Sequence, residues 1–480
     1  PVNILVQDRR GAAIGNADIL LSRDGVSYAW GRTGLDGVLE FKIPQGTFQV
    51  DISALGHGST SFDLGPLKKT NHIVSLEVSG YAIAEIRDEL GNFIPAKLQF
   101  RGREGTPDPF FGPDTGEHAV HNVYYTHDGR MRQALPAGSY EVIVSRGPEY
   151  DAVFLEITVR RGQDLHLPVT LVRSVHTPGW ISSDFHSHSS PSGDNTSSQL
   201  GRVLNLLGEH IEFAPCTEHN QISTYNHHLE QLGAQDSMAS CSGIELTRGP
   251  GTATNHQNAF PMIYKPRMQY GGGPQTSPDP EIQIERLAMW DDFSEKFLQV
   301  NHADLGQFFF DSNGDGQSDD GFSRAFGFID ALEVHPPIRL FSPAVYQDSE
   351  GRSVNNRMFN WLQLLNQGLR IPGVINTDAH YNFHGSGFWR NYLKISTDEP
   401  AEIETMDVVQ AAQRGNIIMT NGPYLEVNLK STQRSSLPQG IAGEDVKAPD
   451  GKALLHIRVQ CPNWFDIDRI PLGTEKTSRR

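Results

Sequence analysis

The feature that most restricts this chain is a repeat within its first 175 residues. Asp36-Gly37, followed by Pro44, Gly46, Phe48, Val50, Ile52 and Ser53, returns as Asp128-Gly129, Pro136, Gly138, Tyr140, Val142, Val144 and Ser145 at a constant offset of 92. Upstream, Asp8, Gly11 and Ile14 return as Asp88, Gly91 and Ile94 at an offset of 80. The second copy therefore carries about twelve more residues between its halves, an insertion near residues 104–125. Each copy reads as an Asp-Gly turn feeding a strand, a Pro-x-Gly turn, and a strand whose alternate residues face a core. Two small antiparallel β-sandwich modules are expected, at 1–78 and 79–175.

The 480 residues leave room for further domains. Asp and Glu number 57 against 40 Lys and Arg, a net charge of −17. A general nucleic-acid binder needs a basic face, so no nucleic-acid partner is expected. Cys216, Cys241 and Cys461 are too few and too scattered for a disulfide framework, and no C-x-x-C pair is present. No apolar run approaches the roughly 18–20 residues of a membrane helix, so no membrane span is expected. The chain starts at Pro1, which fits a removed signal peptide or a fragment. The Pro-x-Gly-x-aromatic pattern of the two modules resembles the carboxypeptidase regulatory-like, transthyretin-related modules found beside extracytoplasmic enzymes. That resemblance implies spacer modules, with protein or glycan contacts as the alternative. It favours a periplasmic or secreted protein over a cytoplasmic one.

From about residue 180 the texture changes. The short apolar segments "WISSDFHSH", "IEFAPCTEH", "KFLQVNHA", "DALEVH" and "RIPGVINTDAH" alternate with helical stretches at 197–209, 281–296, 355–368 and 403–414. Alternating β and α elements argue for a parallel sheet or barrel over 176–425, with ligands gathering at the carboxyl ends of its strands. "YLEVNLKS" and "ALLHIRVQC" predict a closing β segment, leaving 426–480 as a C-terminal unit.

Those strand ends carry the chemistry. His186 and His188, at i and i+2 on an extended segment, project to one side and can share a cation. Glu218, His219, Glu245, His256, His302, Asp378 and His380 each stand at or near the end of an apolar segment. Imidazole and carboxylate without thiolate suits Zn, Mn or Fe better than Ca or Mg. Cys216 reads as a small core residue rather than a ligand. Arg390, His384 and Asn421 are candidates for binding substrate or an oxyanion. Separately, Asp311, Asn313 and Asp315 before Gly316 mimic the start of a calcium loop, with Gln317 following and Asp319 or Asp320 standing in for the missing acid. The twelfth position is Phe322, which excludes a full EF-hand.

The ordered set H-x-H, T-E-H-N, G-x-E, H, N-H and D-A-H resembles the polymerase and histidinol phosphatase (PHP) superfamily. The "NHQNAFP" and "TNGPYL" stretches, with β-modules in front, are similar to its CehA/McbA metallohydrolase branch. The resemblance implies an α/β fold, a distorted (β/α)7 barrel binding two or three transition-metal ions. Carried over, His186, His188, Glu245 and Asp378 hold the first metal. Glu245 bridges to a second held by His256 and His302, and Asp194, His219 and His380 take a third. Glu218 stands where the family has Asp. The implied reaction is hydrolysis of a small molecule by metal-activated water. Glu245 and Asp378, with Arg390 and His384, are its expected catalytic residues. A phosphoester is the first substrate class; a carboxylic ester or carbamate is the alternative, because the region is poor in Lys and Arg. The remaining reading is a non-catalytic surface binding protein.

Overall fold

The computed structural model describes residues 1–54, 57–66, 70–248, 255–302, 322–334, 345–347, 353–383, 385–432 and 439–468. The two halves of the repeat fold alike. Val2–Asp8 lies antiparallel to Val38–Phe41 and parallel to Thr70–Leu76, and Gly80–Arg87 stands in the same relation to Arg130–Leu135 and Asp164–Thr170. Facing these are a sheet in the order Val26–Arg32, Asp18–Arg23, Phe48–Ser53, Thr60–Leu64, and a sheet in the order Ala119–Val120, Val123–Thr126, Ala96–Arg103, Gly138–Ser145, Val153–Val159. Phe48, Val50 and Ile52 in one module and Tyr140, Val142 and Val144 in the other are each at most 1% exposed, as their alternation requires. The repeated aspartates also act alike. Asp8 accepts from the N–H groups of Arg10 and Ala12 at 2.8 and 2.9 Å, and Asp88 from those of Leu90 and Asn92 at 2.9 and 2.8 Å. Gly37 and Gly129 sit at φ +75° and +70°, where a β-carbon would collide with the carbonyls of Val6 and Ile86.

Beyond the modules lie two five-stranded sheets. In the first, Ala239–Ser242, Phe213–Cys216 and Trp180–Ser183 run parallel, and Arg390–Lys394 and Ile417–Thr420 follow antiparallel. In the second, Ile244–Thr247, His256–Phe260 and Phe297–Val300 are antiparallel, and Ala331–Glu333 and Gly373–Val374 extend it in parallel. Between the sheets Phe185 meets Phe260 and Phe297 at centroid distances of 5.0 and 5.5 Å, in a core with Ile181, Phe213, Val374 and Leu393. Each such buried side chain contributes roughly 1.5–3 kcal/mol. Helices Gln199–Gly208, Arg357–Asn366 and Thr405–Gln413 fall where expected. Pro280–Phe293 leaves helical geometry at Trp290, so that helix ends before the expected residue 296.

The expected distorted (β/α)7 barrel is not what the described residues form. A parallel neighbour needs a crossover of a dozen or more residues, usually helical. Only residues 248–255 separate Ile244–Thr247 from His256–Phe260, so these strands pair antiparallel. Arg390–Lys394 and Ile417–Thr420 likewise reverse direction. The architecture is therefore predominantly β, built of several small mixed and antiparallel sheets. Tyr424–Ser431 pairs antiparallel with Ala453–Gln460, giving the expected closing β segment. Among the described residues no helix is long and apolar enough to cross a membrane.

The two five-stranded sheets approach each other where their strands end. Ser187 bridges to Ala379 and His219 to Glu245, each in parallel. The His188 N–H donates to the Ala379 carbonyl and the Asp378 N–H to that of His186, both at 2.9 Å. Backbone pairing thus sets residues distant in sequence side by side.

Charged groups are buried where the second module meets the first of these sheets. Tyr392 donates its hydroxyl to the fully buried Glu149 at 3.2 Å, and nearby Glu212 accepts from the Ser182 N–H at 2.7 Å. Burial, and then the negative charge of Glu149, push the Glu212 carboxyl up to about 8. An acid raised in the folded state lends stability below its ordinary range and loses it as pH climbs to the folded value. Glu212→Gln should therefore gain on the wild type steadily from pH 5 to 8, by about 3 kcal/mol, in unfolding measured across that range. Parallel pH profiles would show that Glu212 is ionised in the folded protein.

Candidate metal centre

His186 and His188 follow strand Trp180–Ser183, and their Nε2 atoms lie 2.9 Å apart. Glu245 Oε2 is 3.4 Å from the first and 3.3 Å from the second. Asp378 Oδ1 is 3.3 and 3.1 Å away. These separations of 2.9–3.4 Å between the imidazoles and from each imidazole to the carboxylates match the edges of a coordination shell whose bonds are about 2.0–2.2 Å. The proton positions agree. His186 Nδ1 lies 3.1 Å from Glu333 Oε1, and a carboxylate accepts only, so this nitrogen carries the hydrogen. His188 Nδ1 lies 3.0 Å from Ser192 Oγ, whose own hydrogen is given to Glu218, so it too donates. Both Nε2 atoms are thereby turned toward each other and toward two carboxylates, a close set of donor atoms that a cation could join. Glu245 Oε2 is buried, and imidazole nitrogens surround it: His186 and His188 Nε2, and His219 Nδ1 at 2.7 Å. The residues fit a divalent transition metal.

Three more donor groups adjoin this one. Glu245, His256 and His302 form one, with His256 Nδ1 3.2 Å from Glu245 Oε1. His188, His219 and His380 form another, and Asp194 Oδ2 stands 3.1 Å from His219 Nε2 and 3.3 Å from His380 Nε2. His186, His302 and Glu333 form a third. Every metal ligand expected from the sequence thus lies in one cluster. Its floor is closed and its rim open: the His186, His188 and Glu245 side chains are 0% exposed, His256 is 26% and Asp194 52%. Asp378 and His302 take left-handed backbone angles, φ +48° and +29°, an uncommon conformation for either and the more strained for His302.

The electrostatics favour a cation. Burial pushes the Glu245 carboxyl up, but the charge of His186 and hydrogen bonds from His186, His219 and His256 outweigh it and hold it well below the usual carboxylate range. Asp378 is lowered against burial by His186, His188 and His302. Burial brings His302 down to about 4, and His188 is lowered for the same reason. Ionised carboxylates and neutral imidazoles are the forms that bind metal. His186 moves the other way: burial lowers it, but Asp378, Glu333 and Glu245 together drive it well above the ordinary histidine value. That shift registers the negative field a cation would meet.

The other candidates are placed differently. Arg390, expected beside the substrate, is fully buried. Its guanidinium donates to the carbonyls of Gly387 and Glu209, both at 2.7 Å, and of His210 at 3.3 Å. It therefore ties loops together instead of offering charge to a ligand. Asn421 lines a separate cavity of about 260 Å³ with Lys97, Tyr125, Phe388 and Trp464. Cys216 is buried in an apolar cluster with Val203, Leu206 and Met238, as a core residue should be. His384 and the calcium-loop residues Asp311, Asn313, Asp315, Gln317, Asp319 and Asp320 lie outside the described residues. Two participants were not singled out from sequence. Glu333 closes strand Ala331–Glu333 near the end of the segment "DALEVH", the pattern that marked the other acids, and was legible on that ground. Asn301 donates to Glu245 Oε1 at 2.9 Å and to Asn258 Oδ1 at 2.8 Å, and nothing in its spacing announces it. Glu218, of uncertain role in sequence, accepts from the Ser189 N–H at 2.9 Å and supports His188 through Ser192.

No family model matches the chain, and no curated protein matches it. Solved structures with local likeness include the Bacillus anthracis TIE protein, at 18% identity over 36% of this chain and 34% of that one, TM-score 0.17. The minor pilin of Streptococcus agalactiae gives 11% identity over 37% of this chain and 97% of that one, TM-score 0.21. The shaft pilin SpaA from Lactobacillus rhamnosus GG gives 14% identity over 37% and 98%, TM-score 0.19. The chain spans about a third of the TIE protein's length, and likenesses this weak define neither fold nor function for it. The barrel that the PHP resemblance implied is not formed by the described residues, and no family model supports the PHP and CehA/McbA labels.

Glu333→Gln keeps His186, His188, Glu245 and Asp378 but removes the charge that orients His186. Competition with a chromophoric chelator should then report a cation affinity about 10–100-fold weaker than wild type. Equal affinities would show that Glu333 plays no part in holding the metal.

Proposed function

We propose that the chain is a metal-dependent hydrolase acting on a small molecule, with a phosphoester as the first substrate class and a carboxylic ester or carbamate as the second. The observation that carries this reading is the cluster itself, four adjoining donor groups with a closed floor and an open rim. Bound there, divalent Zn, Mn or Fe lowers the pKa of a coordinated water toward neutrality and offsets charge developing on the scissile group. His186, His188, Glu245 and Asp378 would hold the innermost ion, and Glu245 would serve the group with His256 and His302 as well. A shared carboxylate fixes the separation of two cations while countering their repulsion. His219, His380 and Asp194 form the exposed side, where substrate reaches the floor. Glu333 and Ser192 hold the imidazoles in the tautomer that leaves Nε2 unprotonated.

With Arg390 engaged by carbonyls, the cluster must itself meet the charge of a phosphoryl group. Carbamate and carboxylic ester substrates would use the same water. Export to the periplasm or beyond belongs to this proposal and rests on the tandem β-sandwiches. The surface-binding reading has no observation in its favour that survives the weakness of the pilin likenesses.

Protein loaded with Zn, Mn or Fe should turn over an aryl phosphate, a phosphodiester, a carboxylic ester or an aryl carbamate. Activity should vanish on chelation and return on adding back the metal. Glu245→Ala, which removes the shared carboxylate, should lower turnover by about 100-fold or more. Hydrolysis that persists in chelator, or metal-loaded protein inert toward all four substrates, would overturn the proposal.

A further inference from the structure

The insertion that distinguishes the second β-sandwich from the first does not project into solvent. Ala119–Val120 and Val123–Thr126 fold it onto the edge of the module's sheet. From there it reaches two loops of the metal centre. One is the turn 189–197 that carries Asp194, and the other is the segment 378–383 that carries His380. Ser197, fully buried, donates its hydroxyl to the Asp114 carbonyl of the insertion at 3.1 Å and accepts from the Asn382 N–H at 3.0 Å. Asn382 Nδ2 donates to the Gly116 carbonyl at 3.2 Å, and the Tyr125 hydroxyl donates to the Asn382 carbonyl at 3.1 Å. The His121 ring stacks on Phe383 at a centroid distance of 4.3 Å and an interplanar angle of 23°. These contacts come from three different parts of the insertion and converge on the loops bearing two ligands of the exposed donor group. That convergence is more than a spacer would need.

We infer that this insertion is a positioning element of the metal centre, holding Asp194 and His380 in register so that the outermost cation can bind beside His219. The inference rests on the metal-dependent reading above and goes beyond it by making the second β-sandwich part of the active unit. Ser197 joins the insertion to both loops, and its hydroxyl is the smallest group whose removal separates them. The inner ligands His186 and Glu245 are held instead by Glu333 and Asn301, which lie outside both loops, so loss of the insertion's contacts should spare them.

The test is zinc titration of full-length protein against a competing chelator, in wild type, Ser197→Ala and His121→Ala. The expected result is that the weakest-bound zinc is lost or weakened about tenfold or more in Ser197→Ala, and in the same direction in His121→Ala. The tighter sites should stay unchanged in both variants, and the thermal midpoint of the zinc-free protein should stay unchanged in His121→Ala, which a purely structural contact would not produce. If both variants bind every zinc as wild type does, the inference falls and the metal reading stands. If the wild type binds no zinc, both fall. Should Ser197→Ala fail to fold, His121→Ala, at a half-buried position, decides by the same criterion.

Discussion

At the floor of this protein, hydrogen-bond acceptors face one another. The Nε2 atoms of His186 and His188 stand 2.9 Å apart with the fully buried Glu245 and the partly exposed Asp378 alongside. Burying carboxylates and unprotonated imidazole nitrogens against each other is costly unless something positive sits among them. The surroundings maintain the arrangement. Glu333 takes the Nδ1 hydrogen of His186, Ser192 that of His188, and the Asn301 amide supports the other oxygen of Glu245. The fold therefore holds carboxylates and imidazoles together in one cluster, and the proposed chemistry follows from the cation that would join them.

Backbone pairing brings that cluster together. The sheets approach through the bridges Ser187 to Ala379 and His219 to Glu245, which set four distant segments side by side at their functional residues. The aromatic core of Phe185, Phe213, Phe260 and Phe297 lies between the same sheets. Packing energy is thereby coupled to site geometry. A change that loosened the aromatic core would be felt at the ligands without touching them.

Much of this was legible in the residues. The offset repeat foretold two alike modules because its turns and alternations are local, and Asp8 and Asp88 make the same bonds. The ligand set was legible because histidines and acids stand at the ends of apolar segments. The sheet architecture was not, since alternation of strand and helix does not specify direction. The short connection 248–255 carried the contrary signal, because it cannot hold a crossover. Arg390 was misplaced because an arginine near a site looks the same in sequence whether it faces a ligand or three carbonyls. The insertion's length could be read from the change of offset, whereas its contact with Ser197 and Asn382 depends on how the modules dock.

X-ray absorption spectroscopy at the metal edge, on protein loaded with one equivalent of zinc, tests the central claim most directly. The account predicts a first shell of nitrogen and oxygen only, at about 2.0–2.2 Å, with the outer-shell scattering of at least two imidazoles. A sulfur shell near 2.3 Å, or a spectrum of hydrated zinc without imidazole scattering, would contradict it.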